Sequence, residues 1–185
     1  MSRAESKGGF LSSLFGWILY ILVIIGLTYL IVTYVGQRTR VSGSSMETTL
    51  SDGDNLIVDK ISYRFRDPER YDIIVFPYQY EENTYYIKRI IGLPGETIQI
   101  IDGFVYINGE YLATDIYGNE IMESANIAGQ PIHLGEGEYF VLGDNRNHSS
   151  DSRDPNVGVL QREDLIGRAW VRIYPFEDMG VIRHE

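Results

Sequence analysis

The hydrophobic pattern divides the chain into two regimes. From Phe15 to Val35 the residues read FGWILYILVIIGLTYLIVTYV, and no charged side chain stands between Lys7 and Arg38. At a rise of about 1.5 Å per residue such a stretch covers roughly 30 Å, the hydrocarbon thickness of a bilayer. The pattern predicts one transmembrane helix over 15–35, with Trp17, Tyr20, Tyr29 and Tyr34 towards its ends, where interfacial aromatics gather. A cleavable secretory signal competes with this reading, but its apolar core is typically about 7 to 15 residues long and leads to a small-x-small site. Here the run is longer and ends in Val35-Gly36-Gln37-Arg38, so an uncleaved anchor is expected.

Beyond the anchor the apolar positions come in short runs rich in β-branched and aromatic residues, at 56–58, 73–76, 84–91, 97–101, 104–107, 139–142 and 169–174. Asp102-Gly103 and Asn108-Gly109 fall between such runs and are the expected hairpin turns, because both positions tolerate left-handed torsions. Residues 115–131 break the rhythm with Gly118, Asn119, Asn126, Gly129 and Pro131 and read as a loop or small cap. The expected fold class is mainly β: an antiparallel domain over 36–185 with a small cap insertion at about 97–136, behind the membrane helix and an N-terminal tail of residues 1–14.

Composition sharpens this division. The 185 residues carry 16 basic and 26 acidic side chains, a formal charge of −10. Residues 1–40 hold four basic and one acidic residue, and 41–185 hold 12 and 25, so a +3 anchor carries a −13 domain. An acidic domain excludes nucleic acid as the expected partner, since phosphate binding needs clustered Lys and Arg. The absence of cysteine removes thiol nucleophiles and thiolate metal sites, and His133, His148 and His184 are isolated, so neither metal nor cofactor is expected. The positive-inside rule barely orients the helix, because Arg3 and Lys7 on one side face Arg38 and Arg40 on the other.

Three segments are more polar than a plain β domain needs. They are Val41-Ser42-Gly43-Ser44-Ser45-Met46-Glu47-Thr48-Thr49-Leu50, then Tyr85-Tyr86-Ile87-Lys88-Arg89-Ile90-Ile91-Gly92-Leu93-Pro94-Gly95, and the run from Gly143-Asp144-Asn145-Arg146 to Ser149-Ser150-Asp151-Ser152-Arg153. In order and spacing they resemble the type I signal peptidase family, whose patterns are G-x-S-M-x-P-T-L, Y-[VI]-K-R-[VI]-I-[GA]-L-P-G-[DE] and G-D-N-R-x-N-S-x-D-S-R. Tyr71-Asp72-Ile73-Ile74-Val75-Phe76 resembles a fourth, G-D-[IV]-[IV]-[VA]-F, with Tyr71 in place of Gly. Thr48 replaces the family Pro, which predicts a looser turn, and 154–158 predicts a longer loop.

The resemblance implies a serine endopeptidase with Ser45 as nucleophile and Lys88 as general base, Ser149 orienting the lysine, and the Ser45 backbone N–H with the Gly43 region serving the oxyanion. A serine hydroxyl needs a base within hydrogen-bond reach. A free lysine, with a pKa near 10.4, is neutral in only about 4 of 10,000 molecules at pH 7. On a strand, Tyr86, Lys88 and Ile90 share one face, which supplies the burial that disfavours the charged form. His148 invites a Ser-His-Asp reading but stands at a variable family position, so it is not taken as catalytic. Arg89, Asp144, Arg146, Asp151 and Arg153 form an expected structural charge cluster.

The resemblance further implies preproteins as substrates, cut after small-x-small sites, with the peptide pairing as a strand along Val41, Ser42 and Gly43 and along Tyr85, Tyr86 and Ile87. Val41 and Ile87 are the expected walls of the side-chain pockets. Because preproteins present their cleavage sites on the outer face, residues 1–14 are expected in the cytoplasm and 36–185 outside, in a single-pass protein of the cell membrane. Exposed apolar rim residues such as Met46 are expected to bring the acidic domain to the bilayer. Two rivals are a self-cleaving repressor-type protease and an inert scaffolding relative. The first would carry a DNA-binding helix-turn-helix, and the second would lack the Ser or the Lys.

Overall fold

In a computed structural model, which describes residues 6–30, 36–81, 84–118 and 120–184, the chain starts with one helix, α1 (Ser6–Leu30). Its window Ser13–Leu30 is long and apolar enough to cross a membrane, and none of it is buried against the rest of the chain. Part of the expected tail is helical, since α1 begins at Ser6. The expected span at 31–35, Tyr34 included, lies outside the described residues.

The remainder is antiparallel β, as the runs predict. Strands β1 (Gly36–Arg40), β2 (Asn55–Asp59), β3 (Ile73–Pro77), β4 (Tyr85–Gly92), β9 (Glu138–Leu142), β10 (Leu160–Gln161), β11 (Gly167–Tyr174) and β12 (Gly180–Val181) make one sheet in the order β1-β2-β11-β3-β4-β9-β10, with β12 on β11. A second sheet holds β5 (Thr97–Ile101), β6 (Phe104–Ile107), β7 (Glu110–Tyr111) and β8 (Ile132–His133) in the order β7-β6-β5-β8. It is inserted between β4 and β9, the strands that flank it in sequence and pair with each other.

Both expected hairpin turns are present: Asp102 and Gly103 have φ of 50° and 82°, and Asn108 and Gly109 have 53° and 84°. The larger sheet buries Val41, Met46, Leu50, Leu56, Val58, Ile73, Val75 and Ile87 in one cluster and Tyr63, Ile74, Phe76, Ile90, Tyr139 and Val141 in another. Burial at successive positions 73–76 and 87–92 shows that β3 and β4 are covered on both faces. A charged side chain on β4 is thereby forced into a dry environment. Tyr71, just before β3, adopts φ 72°, a left-handed torsion that costs a non-glycine residue about 1 kcal/mol.

Candidate active site

The segment after β1 is pinned at three places. Val41 N–H donates to the Asp54 carbonyl at 2.8 Å, and Val41, Met46 and Leu50 point into the core. Between these anchors the chain must bulge outward, leaving Ser42, Gly43 and Ser44 exposed and Ser45 half-buried. Gly43 sits at φ 88° with its N–H donating to Asp52 Oδ1 at 2.9 Å. Met46 is 1% exposed, so the sequence expectation of an apolar rim residue is wrong there. Within the turn Met46 and Leu50, four residues apart, both face inward, while Thr48 between them is exposed. The Glu47–Thr48 peptide in this turn is cis. The turn is not loose despite Thr48: Thr49 and Leu50 N–H both donate to the Met46 carbonyl at 2.8 Å.

Lys88 lies on β4, opposite Ile74 of β3, and is 3% exposed. Its Nζ is 2.8 Å from Ser45 Oγ and 3.0 Å from the Ile87 carbonyl, with the Tyr86 ring centroid 5.0 Å away. Burial pulls its pKa down to about 8, against the opposing pull of the Asp151 and Asp144 carboxylates. The two residues that the sequence paired from separate motifs are therefore in direct contact, and burial shifts the lysine towards its neutral form.

The loop 143–153 closes the site from a third side. Asn145 N–H donates to the Ser45 carbonyl and Asn145 Nδ2 to the Ser44 carbonyl, both at 3.1 Å. Asp144 receives Arg89 Nε and Nη2 at 2.8 and 2.7 Å, and also Thr49 Oγ1 at 2.5 Å. Asp151 binds Arg153 in the same two-pronged way, at 2.8 and 2.9 Å, and accepts the Gly143 N–H at 3.1 Å. The expected charge cluster is thus two buried ion pairs, with Arg146 held elsewhere: Asp115 of the insertion grips it at 2.7 Å through both nitrogens.

Ser149 departs from expectation. Its Oγ is buried and has no hydrogen-bond partner among the described residues, so the orienting bond to Lys88 is not formed. The lysine has turned its donors to Ser45 and Ile87 instead. Gly143 explains the crowding, because a Cβ there would overlap both the Ser149 side chain and the Ser45 carbonyl. Sequence reasoning missed Thr49, Asn145 and Gly143 as parts of the site although all three lie within its motifs. It also missed Asp115 and Tyr117, whose segment carries no motif.

A groove of about 570 Å³ runs to the Ser45–Lys88 pair. Val41, Ser42, Gly43, Tyr85, Tyr86 and Ile87 all line it, together with His148 and Ser150. β4 pairs with β3 from Tyr85 to Arg89, but β9 joins its other edge only from Arg89 onward. The 85–88 edge is open to the groove and has backbone groups to offer an extended peptide.

Residues 14–174 match the profile of the family described as signal peptidase, peptidase S26. The chain is 42% identical over 155 residues to a probable signal peptidase I-2 of Synechocystis sp., an alignment that covers 81% of this chain and 68% of that protein. It is 35% identical over 175 residues to signal peptidase I of Bacillus licheniformis, covering 91% and 92% of the two chains. To signal peptidase I of Leptolyngbya laminosa it is 41% identical over 155 residues, covering 80% and 73%.

Proposed function

The chain belongs to the signal peptidase family, peptidase S26, and from that premise we propose that it is a membrane-anchored serine endopeptidase that removes signal peptides from preproteins, with Ser45 and Lys88 as its catalytic dyad. The observation that carries the dyad is the 2.8 Å contact between Ser45 Oγ and a lysine whose pKa burial brings to about 8. With that value roughly one lysine in ten is neutral at pH 7, against about 4 in 10,000 for a free side chain.

In its neutral form Lys88 accepts the Ser45 hydroxyl proton as Oγ attacks the carbonyl before the scissile bond. The resulting ammonium then passes the proton to the departing amine, which leaves an acyl-enzyme on Ser45. Water attacks this ester with Lys88 again as base, and the proton returns to Ser45 Oγ. The developing oxyanion needs a fixed donor, a role assigned to the Ser45 N–H. Asn145 holds the Ser44 and Ser45 carbonyls from behind, so that donor is pre-oriented.

The substrate enters as an extended strand between 41–43 and the open edge of β4, with Val41 and Ile87 bounding pockets for small side chains. The part of α1 from Phe15 onward enters the membrane, residues 1–14 lie on the cytoplasmic side and the β domain lies outside, where translocated preproteins expose their cleavage sites.

The test is cleavage of a purified preprotein in detergent by the wild type, Ser45→Ala and Lys88→Ala. Both variants are expected to be inactive, and the wild-type rate to rise with pH, reach half its maximum near 8 and level off above it. Equal activity in all three, or a rate still climbing at pH 10, would sink the proposal.

A further inference from the structure

Tyr71 is the residue at which this chain leaves its family's strand pattern, since the pattern carries Gly there. Its φ of 72° suits glycine, so the ring must return something for the strained backbone. The ring packs on Tyr117, with centroids 5.0 Å apart, and the hydroxyl is 2.6 Å from Thr114 Oγ1. The Tyr117 ring in turn lies over the Arg89 guanidinium, 3.7 Å from Cζ, while the Tyr71 carbonyl accepts Arg89 Nη1 at 3.0 Å. Arg89 is therefore held on one flank by the two tyrosines and on the other by Asp144.

Asp144 also accepts the Thr49 hydroxyl, in the turn that carries Ser45, so one guanidinium joins the base strand, the third loop and the nucleophile turn. The insertion adds a second hold: Asp115 grips Arg146, whose Nε donates to the Gly143 carbonyl at 3.0 Å. Tyr117 Oη donates to the His184 carbonyl at 3.3 Å, which fixes the ring from its far side.

We propose that Tyr71 and Tyr117 are positioning residues for the peptidase reaction: with Tyr71 packed against Tyr117 and Tyr117 lying over Arg89, they keep the Arg89–Asp144 pair closed and with it the Ser45 turn in register with Lys88. The inference rests on the dyad reading above and assigns the inserted segment a part in catalysis that its lack of motif conceals. The consequence for the base follows from the charges that face it. Asp144 and Asp151 approach Lys88 from the loop, Arg89 and Arg153 pair with them, and Tyr86 of its own strand flanks it. If the stack is lost and Arg89 loosens, Asp144 is less neutralised and holds the Lys88 proton more strongly.

Full-length protein in detergent is assayed for kcat, KM and the pH–rate profile on a preprotein, as wild type, Tyr71→Gly, Tyr71→Phe, Tyr117→Leu and Ser45→Ala. Glycine fits the torsion at 71, so Tyr71→Gly reads function rather than folding, and a thermal melt accompanies each variant. Tyr71→Gly and Tyr117→Leu are expected to lower kcat about tenfold with KM changed less than about twofold, and to move the acid limb upward by about half a pH unit. Tyr71→Phe keeps the stack and should stay within about twofold of wild type, and the Gly/Leu double variant should be no slower than the slower single. Wild-type kcat and an unmoved acid limb in Tyr71→Gly, with Ser45→Ala dead, would overturn the inference alone, as would a loss confined to KM. Full activity of Ser45→Ala would instead overturn the dyad reading on which it rests.

Discussion

Burying the lysine proposed as the base leaves a thermodynamic mark that can be measured apart from catalysis. The Lys88 pKa falls from 10.5 to about 8, with burial as the cause. At about 1.4 kcal/mol per pKa unit, this displacement amounts to roughly 3 kcal/mol of stability withheld from the folded domain. The sign follows from proton counting. Between pH 8 and 10.5 the unfolded chain keeps the lysine proton and the folded chain has released it, so stability rises with pH across that window. Below 8 the penalty is complete, and above 10.5 it is gone. Lys88→Met fills the same space without charge. It forfeits the bonds to Ser45 Oγ and the Ile87 carbonyl, together worth about 1 to 2 kcal/mol. The variant is therefore expected to gain about 1 to 2 kcal/mol at pH 7, a rise of roughly 2 to 8 °C in melting temperature for a domain of this size. Melts of both proteins in detergent at pH 7, 9 and 11 should show this advantage shrinking and then reversing. A Lys88→Met protein less stable than wild type at pH 7, or a difference independent of pH, would refute the account of the base as a desolvated lysine.

Gly143→Ala should lower kcat by about a hundredfold, because the added Cβ displaces the Ser45 carbonyl and the Ser149 side chain, and misplacement by about 1 Å at a reacting group has an effect of that order; cleavage at the wild-type rate would show that the loop does not set the serine. His184, whose Nδ1 accepts the Ile73 N–H at 3.0 Å, is brought down to about 4 by burial. The unfolded chain then takes up a proton that the folded one refuses between pH 6.5 and 4, so stability should fall across that window. His184→Asn keeps an acceptor without titrating, and parallel acid melts for it and the wild type would count against this.

The strands and the dyad were legible in the sequence for different reasons. Thr97–Ile101 and Phe104–Ile107 could be bounded because Asp-Gly and Asn-Gly turns bracket alternating runs, and local torsional preference decides such elements. β1, with the sequence GQRTR, and the two-residue β7, β8, β10 and β12 carry no such signal, since their pairing is imposed by neighbours distant in the chain. Ser45 and Lys88 were found through the spacing of motifs. The state of the Ser149 hydroxyl was not, because a motif specifies a residue and leaves its side-chain rotation to local packing. Met46 was misread because an apolar residue beside an exposed serine has two possible directions, and only the turn decides between them. Asp115 and Tyr117 were invisible for a further reason: each acts on an arginine about 30 residues away through a segment whose composition reads as plain loop.

The same packing explains why so many charges surround Lys88, the proposed base. Asp144 and Asp151 both oppose the effect of burial on Lys88, so a site tuned for neutral lysine alone would lack them. They remain because each carboxylate ties the loop: Asp144 takes the Thr49 hydroxyl, and Asp151 takes the Gly143 N–H. Removing them would ease deprotonation and release the geometry together. Arg89 and Arg153, 0% and 4% exposed, ease the conflict by meeting each carboxylate with two nitrogens, which opposes its field and leaves its hydrogen bonds in place. A buried ion pair is by itself a poor source of stability, since desolvation consumes much of the attraction. These pairs are better understood through the base: they let the loop be held by anions while the lysine beside it still responds chiefly to its desolvation.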